Sequence, residues 1–419
     1  MKSGKGYFPL IAAALCVCVL LSSCSSNGAP ESPSELPVQS DVSESSAAQT
    51  KDTAPKEEVR AASSEAESAA SSENEAAGEA SSQASSSEAA SSEENSEPPE
   101  DNSVQHQREL TALDTYVSFT TYGGGESALD KAESELNRLE QMLSVTNKDG
   151  EIGKLNSADG RETPVSKETQ ELLTRSLEVN RQTDGTFDIR MYPVLLKWGF
   201  TTGENKVPSE SEIKDALSLT GSDKLKVSDG SAKLAAGSMV DLGGIAKGYV
   251  SDRVGESLKK SGVENALFTI GGSVRTIGTK PDGSLWKVGI ADPNGGQGYV
   301  GVISVSDTTV STSGIYERYF EKDGTVYGHI LDPKTGTPVD PAKTGILSTT
   351  VVSADGTLCD ALSTALFVMG RDRATAYLEK HKDIDAVLIT TDGSFIVTGG
   401  LADSFKTTGS YKGTPITYI

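Results

Sequence analysis

A glycine turn followed by a lysine is the first segment of this sequence whose residue types suit chemistry. In SMVDLGGIAKGYVSDRV, residues 238–254, we expect a strand that ends at Asp241 and a turn at Gly243 and Gly244. Lys247 then falls in the first turn of a predicted helix. Glycines let a backbone approach a ligand closely, helix starts offer unpaired N–H groups, and lysine adds a positive charge. The segment therefore suits an anion, although a strand-to-helix turn with a solvated lysine explains the same residues.

A group of oxygen-bearing side chains lies near the start of a second predicted helix, TLCDALSTALFVMG, residues 357–370. Asp360, Ser363 and Thr364 are three or four residues apart, so a helix places them on one face. Oxygen ligands of this kind suit Mg²⁺, which keeps waters or phosphate oxygens in the rest of its shell. Capping of backbone N–H groups by Asp360 and Ser363 is the simpler alternative.

His329 is a third candidate, within RYFEKDGTVYGHILDPKTG, residues 318–336. It lies on the second strand of a predicted hairpin and precedes Asp332 by three residues. A histidine whose pKa lies near neutrality can accept a proton from a hydroxyl nucleophile. DPKTG is by itself a strong turn signal, so a histidine with no catalytic role on a hairpin strand is the alternative.

These segments must be positioned by a mixture of helices and short strands. Helical periodicity or capping signals mark residues 127–143, 167–182 and 209–217. Strands are predicted at residues 266–270, 285–290, 298–305, 318–324, 325–331, 346–352, 386–390 and 394–399. The sequence contains no strict βαβ alternation, no Walker loop and no GxGxxG that opens a helix after a strand. We expect an α+β fold of mixed sheets and helices in two interlocked lobes with a cleft between them.

The composition divides the chain into a leader, a tether and a folded body. The net charge is −22, to which residues 1–24 contribute +2, residues 25–109 contribute −15 and residues 110–419 contribute −9. Residues 25–109 contain no Phe, Trp or Tyr and are rich in Ser, Ala and Glu, so we expect a disordered acidic tether. The acidic body argues against nucleic-acid binding. Three histidines in all and one cysteine in the body exclude a disulfide framework and a Cys/His zinc cluster.

Residues 1–24 have the pattern of an export signal. Lys2 and Lys5 precede an uncharged stretch that is too short to span a bilayer comfortably. The segment ends in LSSC and resembles a bacterial lipobox, which implies cleavage before Cys24 and lipid attachment to its sulfur. The lipid would hold the chain on the extracytoplasmic face of the cell membrane. An ordinary cleaved signal with an incidental cysteine is the alternative.

The body resembles the ApbE family of FAD:protein FMN transferases, bacterial flavin-trafficking lipoproteins, along nearly its whole length. The ordered motifs that carry the resemblance are LDTYVSF, MLSVTNKDGEIGKLN, DGTFDIRMYPVLLKWGF, VDLGGIAKGYVSDRV, TIGGSVRTIGTKPDGSLWKVGI, TSGIYERYF, HILDPKTGTPV and CDALSTALFVMG. Eight matches in the same order are specific, whereas any one of them alone would not be. The resemblance implies a nucleotide in the expected cleft.

The resemblance also implies a role for individual residues. FAD contacts are implied at Leu113, Thr146, Thr186, Phe187, Asp188, Asp241, Lys247 and Leu331. The Mg²⁺ ligands would be the Gly244 carbonyl, Asp360 and Thr364. Family members often have Met in place of Leu113, Tyr in place of Thr146 and sometimes Asp in place of Ser363. Thr146 would lose the stacking that an aromatic ring provides, and Ser363 would bind the metal weakly, bind it through water, or not bind it.

The implied reaction is a phosphoryl transfer. The FMN half of FAD would move to a Ser or Thr hydroxyl of an acceptor flavoprotein, with release of AMP, and His329 would serve as general base. The acceptor would belong to a membrane-associated or extracellular electron-transfer system. Two alternatives use the same site: an Mg²⁺-dependent pyrophosphatase that splits FAD into FMN and AMP, and a flavin-binding lipoprotein without catalysis.

Overall fold

Helices and strands alternate along residues 103–296 and 298–419, the part of the chain that the computed structural model describes. The predicted leader with Cys24 and nearly all of the predicted tether lie outside the described residues. The strands are β1 Gln105–Ala112, β2 Thr115–Tyr122, β3 Glu162–Pro164, β4 Leu225–Ser228, β5 Ser231–Leu234, β6 Asn265–Ile270, β7 Ser273–Ile277, β8 Trp286–Ala291, β9 Tyr299–Val305, β10 Thr309–Gly314, β11 Tyr319–Lys322, β12 Thr325–Gly328, β13 Leu331–Asp332, β14 Thr337–Pro338, β15 Ile346–Ser353, β16 Asp385–Thr390, β17 Phe395–Val397, β18 Phe405–Thr407 and β19 Ile416–Tyr418. The α-helices are α1 Gly125–Leu143, α2 Glu151–Asn156, α3 Lys167–Gln182, α4 Tyr192–Trp198, α5 Glu210–Leu217, α6 Ala246–Lys260, α7 Pro341–Thr344, α8 Gly356–Met369 and α9 Arg371–Lys380. Three short 3-10 helices span Ile189–Met191, Gly399–Leu401 and Gly409–Tyr411.

A nine-stranded sheet in the order β1-β2-β6-β7-β10-β15-β16-β17-β19 forms the centre of the fold. Its neighbouring strands are antiparallel except for β17 and β19. Smaller sheets are formed by β18-β9-β8, β3-β5-β4, β11-β12 and β13-β14. The eight strands predicted from β-rich runs are therefore present, and the predicted α+β class is confirmed.

Both faces of the central sheet are covered, because successive side chains of a strand point to opposite faces. In β6, Phe268 belongs to a hydrophobic cluster that also contains Leu136 of α1 and Leu366 of α8. The adjacent Leu267 belongs to a second cluster with Trp286 of β8. The sheet therefore separates a helical layer from the β18-β9-β8 layer. The predicted interlocked lobes are not separate domains, since the described residues form one compact unit.

The helices follow the sequence signals closely. In α1, the predicted stripe of Leu129, Leu136, Leu139 and Leu143 is buried. Ser209 and Glu212 form the capping box expected at the start of α5. Helix α8 is apolar on almost every side because it packs between α6 and the strands β10 and β15. No helix within the described residues has the length and apolar character needed to cross a membrane.

Two sequence-based expectations about boundaries are wrong. The folded body begins with β1 at Gln105 rather than at residue 110, because alternate residues of this polar strand are partly covered while it pairs with β2. The strand expected to end at Asp241 is a loop between β5 and α6. The reason is that Val240 pairs its N–H and carbonyl with the side-chain amide of Asn156, at 2.8 Å each, instead of with another strand.

Candidate active site

The two chemistry-bearing segments meet where the first turn of α6 crosses α8. A Cβ atom on Gly248 would lie 2.7 Å from the Cβ of Asp360 and would clash with the carbonyl oxygen of Gly356. Only a residue without a Cβ lets the two helices cross this closely. The glycine turn that precedes α6 and the oxygen-bearing face of α8 are therefore neighbours.

Asp360 is buried, with 4% of its side chain exposed, and contacts α6 directly. Its Oδ2 accepts a hydrogen bond from the Gly248 N–H at 3.1 Å, and the Ser311 hydroxyl donates to its Oδ1 at 3.3 Å. Asp360 does not cap its own helix, whose N-cap is Asp355, but it does satisfy a backbone N–H group, as the simpler alternative expected. That N–H group lies in the first turn of α6, where the helix dipole favours a negative charge.

Thr364 and Ser363 use their hydroxyls differently. The Ser363 hydroxyl donates to the Asp360 carbonyl at 2.8 Å and, unlike Asp360, accepts from no N–H group among the described residues. The Thr364 Oγ1 lies 3.5 Å from the position that a Cβ on Gly244 would occupy. Both hydroxyls contact the Ser313 hydroxyl, Ser363 at 2.8 Å and Thr364 at 3.2 Å. Thr364 is therefore the hydroxyl that lies beside the glycine turn.

The residues of the predicted metal site carry oxygen atoms of the kind that Mg²⁺ prefers. Asp360 supplies a buried carboxylate whose Oδ1 lies 3.7 Å from the Lys247 ammonium, and Thr364 lies against Gly244. Across residues 103–296 and 298–419, no three His, Cys, Asp or Glu side chains group closely enough to hold a metal ion. A set with a single carboxylate leaves coordination positions to water and phosphate oxygens, which is typical of Mg²⁺. The Mg²⁺ site stays a prediction.

The anion-binding side of the site lies in the turn before α6. Asp241 accepts a hydrogen bond from the Gly243 N–H at 2.9 Å, and the Lys247 ammonium donates to the Gly243 carbonyl at 2.8 Å. Burial raises the pKa of Asp241, although the Gly243 N–H and the positive charges of Lys247 and Arg318 oppose the shift. The turn is therefore held rigid at both ends and has two cations near it.

The segment from Thr186 to Asp188 packs against this turn. The Phe187 ring lies 3.3 Å from the position that a Cβ on Gly244 would occupy. The Thr186 hydroxyl is buried and donates to the Thr183 carbonyl at 2.9 Å. Both carboxylate oxygens of Asp188 accept from the buried Arg190 guanidinium, at 2.7 and 2.9 Å. These side chains hold the loop in place, and their contacts with FAD stay predictions.

Leu113 and Asp114 form the turn between β1 and β2 with left-handed backbones, φ 53° and 54°. Consecutive left-handed residues are typical of a two-residue hairpin turn, but a leucine rarely adopts this conformation. The Leu113 N–H donates to a Glu140 carboxylate oxygen at 2.9 Å, and the Arg318 guanidinium donates to the Asp114 carbonyl at 3.1 Å. The turn is therefore fixed from two sides.

Thr146 and Leu331 are placed differently from the residues around the glycine turn. Thr146 is exposed and its hydroxyl lies 2.9 Å from that of Ser144. Leu331 is buried in a cluster with Met191 and Trp198. Their predicted contacts with FAD are not tested by the structure.

His329 follows β12 and is held by the backbone of Arg318. Its N–H and its Nδ1 both lie near the Arg318 carbonyl oxygen, at 3.0 and 3.1 Å. A carbonyl only accepts hydrogen bonds, so this contact requires a proton on Nδ1 and leaves Nε2 free to accept one. Burial, together with the charges of Arg318 and Lys247, lowers the pKa of His329 to about 4, although the hydrogen bond to the Arg318 carbonyl opposes the shift. His329 is therefore neutral at physiological pH.

Two further charged residues of the site, Glu317 and Arg318, belong to the TSGIYERYF motif. Burial raises the pKa of Glu317 to about 7, with a further upward contribution from Asp360 and an opposing one from Lys247 and Arg318. Sequence reasoning assigned no role to Glu317 or Arg318. The only available signal was their position in a motif that carried the resemblance, since nothing local relates them to Asp360.

A cavity of about 530 Å³ lies away from this site, on the surface formed by α1, α3 and α6. It is lined by Lys131, Glu135, Arg138, Glu168, Arg253, Glu256, Ser257, Lys260 and Ser261. Arg138 pairs with Glu135 and Glu168, and Arg253 pairs with Glu256. Because most of its charged side chains are paired with one another, we assign the active site to the glycine turn instead.

Several known proteins are similar to this chain. The model of the ApbE family matches residues 113–388. An FAD:protein FMN transferase from Klebsiella pneumoniae is 31% identical over 303 residues, which cover 71% of this chain and 93% of that protein. The solved structure of the ApbE protein from Thermotoga maritima has a TM-score of 0.66 and 32% identity, covering 70% of this chain and 96% of its own. The apo form of the flavinyl transferase ApbE from Pseudomonas stutzeri has a TM-score of 0.62 and 30% identity, covering 69% of this chain and 92% of its own.

The fold, the site and these relatives together define a transferase, as predicted. The chain belongs to the ApbE family, because the family model matches well over half of it and the relatives align along most of their own length. The resemblance drawn from the ordered motifs is thereby confirmed.

Proposed function

We propose that this protein transfers the FMN moiety of FAD to a Ser or Thr hydroxyl of an acceptor protein, with Mg²⁺ as cofactor and AMP as the second product. The observation that carries the proposal is the contact between Asp360 and the first turn of α6. It brings oxygens suited to Mg²⁺ and a turn suited to a phosphate into one place. The names of the relatives support the flavin chemistry.

Asp360, Thr364 and the Gly244 carbonyl would hold the metal. When bound, Mg²⁺ would neutralise charge on the pyrophosphate of FAD and on the departing AMP. Lys247 would add positive charge beside the same phosphates. Its ammonium is already fixed on the Gly243 carbonyl, so little conformational freedom of the side chain would be lost on binding.

His329 would accept the proton of the acceptor hydroxyl at Nε2. The Nδ1–H donated to the Arg318 carbonyl fixes the ring and its tautomer. A neutral imidazole at physiological pH is the form that a general base requires. Such a base typically contributes about 10² to 10⁴ in rate.

The acceptor would be an extracytoplasmic flavoprotein of a membrane-associated electron-transfer system, and lipid on Cys24 would keep the enzyme at the membrane surface. The acidic composition of residues 25–109 supports a tether that holds the body away from the bilayer. Fractionation of cells that express the wild type and Cys24→Ser tests the anchor. The wild type should sediment with membranes, and the variant should not.

The test of the reaction is incubation of the full chain with FAD, Mg²⁺ and candidate acceptor proteins, followed by denaturing electrophoresis and in-gel flavin fluorescence. Fluorescence that stays with the acceptor, together with AMP in solution, supports transfer. Free FMN and AMP without a labelled acceptor would indicate a pyrophosphatase instead. Bound FAD without AMP release would indicate a flavin-binding protein. An acceptor in which the target Ser or Thr is replaced by Ala is the matched control.

A further inference from the structure

Arg318 connects the parts of the site that act on FAD and on the acceptor. It lies between β10 and β11, in the segment that separates Glu317 from Tyr319, and its side chain is exposed. Its guanidinium Nη2 donates to the Asp114 carbonyl, 204 residues away in sequence. Its own backbone carbonyl accepts from the N–H of His329 and lies 3.1 Å from Nδ1 of that ring. One residue thus contacts both the left-handed turn and the candidate base.

The Arg318 guanidinium is suited to an anion. Its positive charge acts on Asp241, Glu317 and His329, so it lies among the charged groups of the site. Within the described part of the chain, Nη2 bonds only to Asp114, while Nε and Nη1 have no hydrogen-bond partner. An arginine presents its N–H groups in a fixed planar fork that matches phosphate oxygens, whereas a lysine acts as a point charge. Lys247, the other cation here, already donates to Gly243.

We propose that Arg318 binds the pyrophosphate of FAD through its guanidinium and is a positioning residue for His329 through its backbone carbonyl. The proposal rests on the proposed function for the identity of the anion. Bound pyrophosphate would hold the Arg318 side chain in place. Because the same residue carries the carbonyl that orients the imidazole, filling the nucleotide site would also order the base.

The first test compares affinities for FAD and for riboflavin, which has no phosphate, by quenching of flavin fluorescence. Arg318→Gln should weaken FAD binding by about tenfold or more, as expected for loss of charge-assisted hydrogen bonds, and should leave riboflavin binding unchanged. Arg318→Lys should recover part of the FAD affinity. Lys322→Gln, on the same hairpin and exposed, is the control and should bind both ligands like the wild type.

An equal loss for FAD and riboflavin in Arg318→Gln would overturn the proposal, because it would show a purely structural role through the Leu113 and Asp114 turn. Unchanged FAD affinity would overturn it as well. The comparison is independent of catalysis. If the wild type bound FAD but transferred no FMN, the proposed function would fail while the role of Arg318 in anion binding would still be decided.

The second test concerns His329. The chain has three histidines, so the imidazole nitrogens of His329 can be assigned by NMR against His106 and His381. In the wild type the Nδ1-protonated tautomer should dominate at neutral pH. Arg318→Gln should reduce that preference, because the carbonyl that accepts from Nδ1–H is no longer held in place through the guanidinium, whereas Arg318→Lys should keep it. An unchanged tautomer preference in Arg318→Gln would overturn the positioning role.

Rates at saturating FAD complete the test. Arg318→Gln should lower the rate of FMN transfer when it is the only substitution. It should not lower the rate further in a chain that already carries His329→Ala. A further loss in that background would show that Arg318 does not act through His329, and would overturn the positioning role.

Discussion

The crossing of α6 and α8 can be tested by adding one methyl group at Gly248. Gly248→Ala places a Cβ 2.7 Å from the Cβ of Asp360 and against the carbonyl of Gly356. Carbon atoms in contact normally lie about 3.5 to 4.0 Å apart, so the helices must separate by about 1 Å. Overpacking of this kind costs about 1 to 3 kcal/mol of unfolding free energy. The same displacement lengthens the 3.1 Å bond from the Gly248 N–H to Asp360.

Gly255→Ala is the matched control, because it makes the same change two turns further along α6. A Cβ there would lie 3.7 Å from Phe268 and 3.8 Å from Arg275, which is ordinary contact. Replacing a helical glycine by alanine then stabilises by about 0.5 to 1 kcal/mol. In urea unfolding, the free energy of unfolding of Gly248→Ala should be lower than that of the wild type, and that of Gly255→Ala should be equal to it or higher.

Transfer activity distinguishes a local from a global effect. Gly248→Ala should lose FMN transfer under conditions where it is fully folded, because Asp360 moves relative to the glycine turn. Gly255→Ala should retain it. Equal stability of the two variants, with full activity in both, would show that α6 and α8 do not cross as described.

Three further predictions concern single side chains of the site. Asp360→Asn should abolish Mg²⁺-dependent transfer, at a cost of several kcal/mol in transition-state stabilisation, and a Mg²⁺ titration that restores wild-type turnover would contradict it. His329→Ala should keep FAD affinity while transfer slows by about 10² to 10⁴, and loss of FAD binding would be the contrary result. Glu317 has a pKa of about 7 when folded against an ordinary value of 4.5, so folding favours its protonated form and the free energy of unfolding should fall as pH rises between these values. Glu317→Gln should remove that loss. Urea unfolding at pH 4.5 and pH 8 measures it, and an equal change in the free energy of unfolding in the wild type and in Glu317→Gln would contradict the raised pKa of Glu317.

Much of the local structure could be predicted from the sequence because its causes are local. The leucine stripe of α1 and the capping box of α5 depend on residues within a few positions of one another. The prediction of a strand that ends at Asp241 was wrong because the hydrogen-bond partner of Val240 is distant in the sequence. Val240 pairs with the Asn156 side chain, 84 residues away, and no pattern within residues 238–254 reveals that contact.

In the site, too, the sequence predicted the features that depend on nearby residues but not the contacts between distant ones. Residue types and spacing identified Asp360, Lys247 and His329 as candidates, and the ordered motifs related them to one family. The sequence alone could not decide whether Asp360 caps a helix or holds a ligand. That depends on the Gly248 N–H, 112 residues away, which the close crossing of α6 and α8 brings within reach.

The sequence by itself therefore determined the helices and strands whose signals are local, which residues carry reactive groups, and to which family the chain belongs. Only the tertiary structure decided which of those groups meet. Hydrogen bonds from Gly248 to Asp360 and from Arg318 to Asp114 join residues far apart in the chain. Such contacts exist only once burial of apolar surface on both faces of the central sheet has fixed the helices and loops around it.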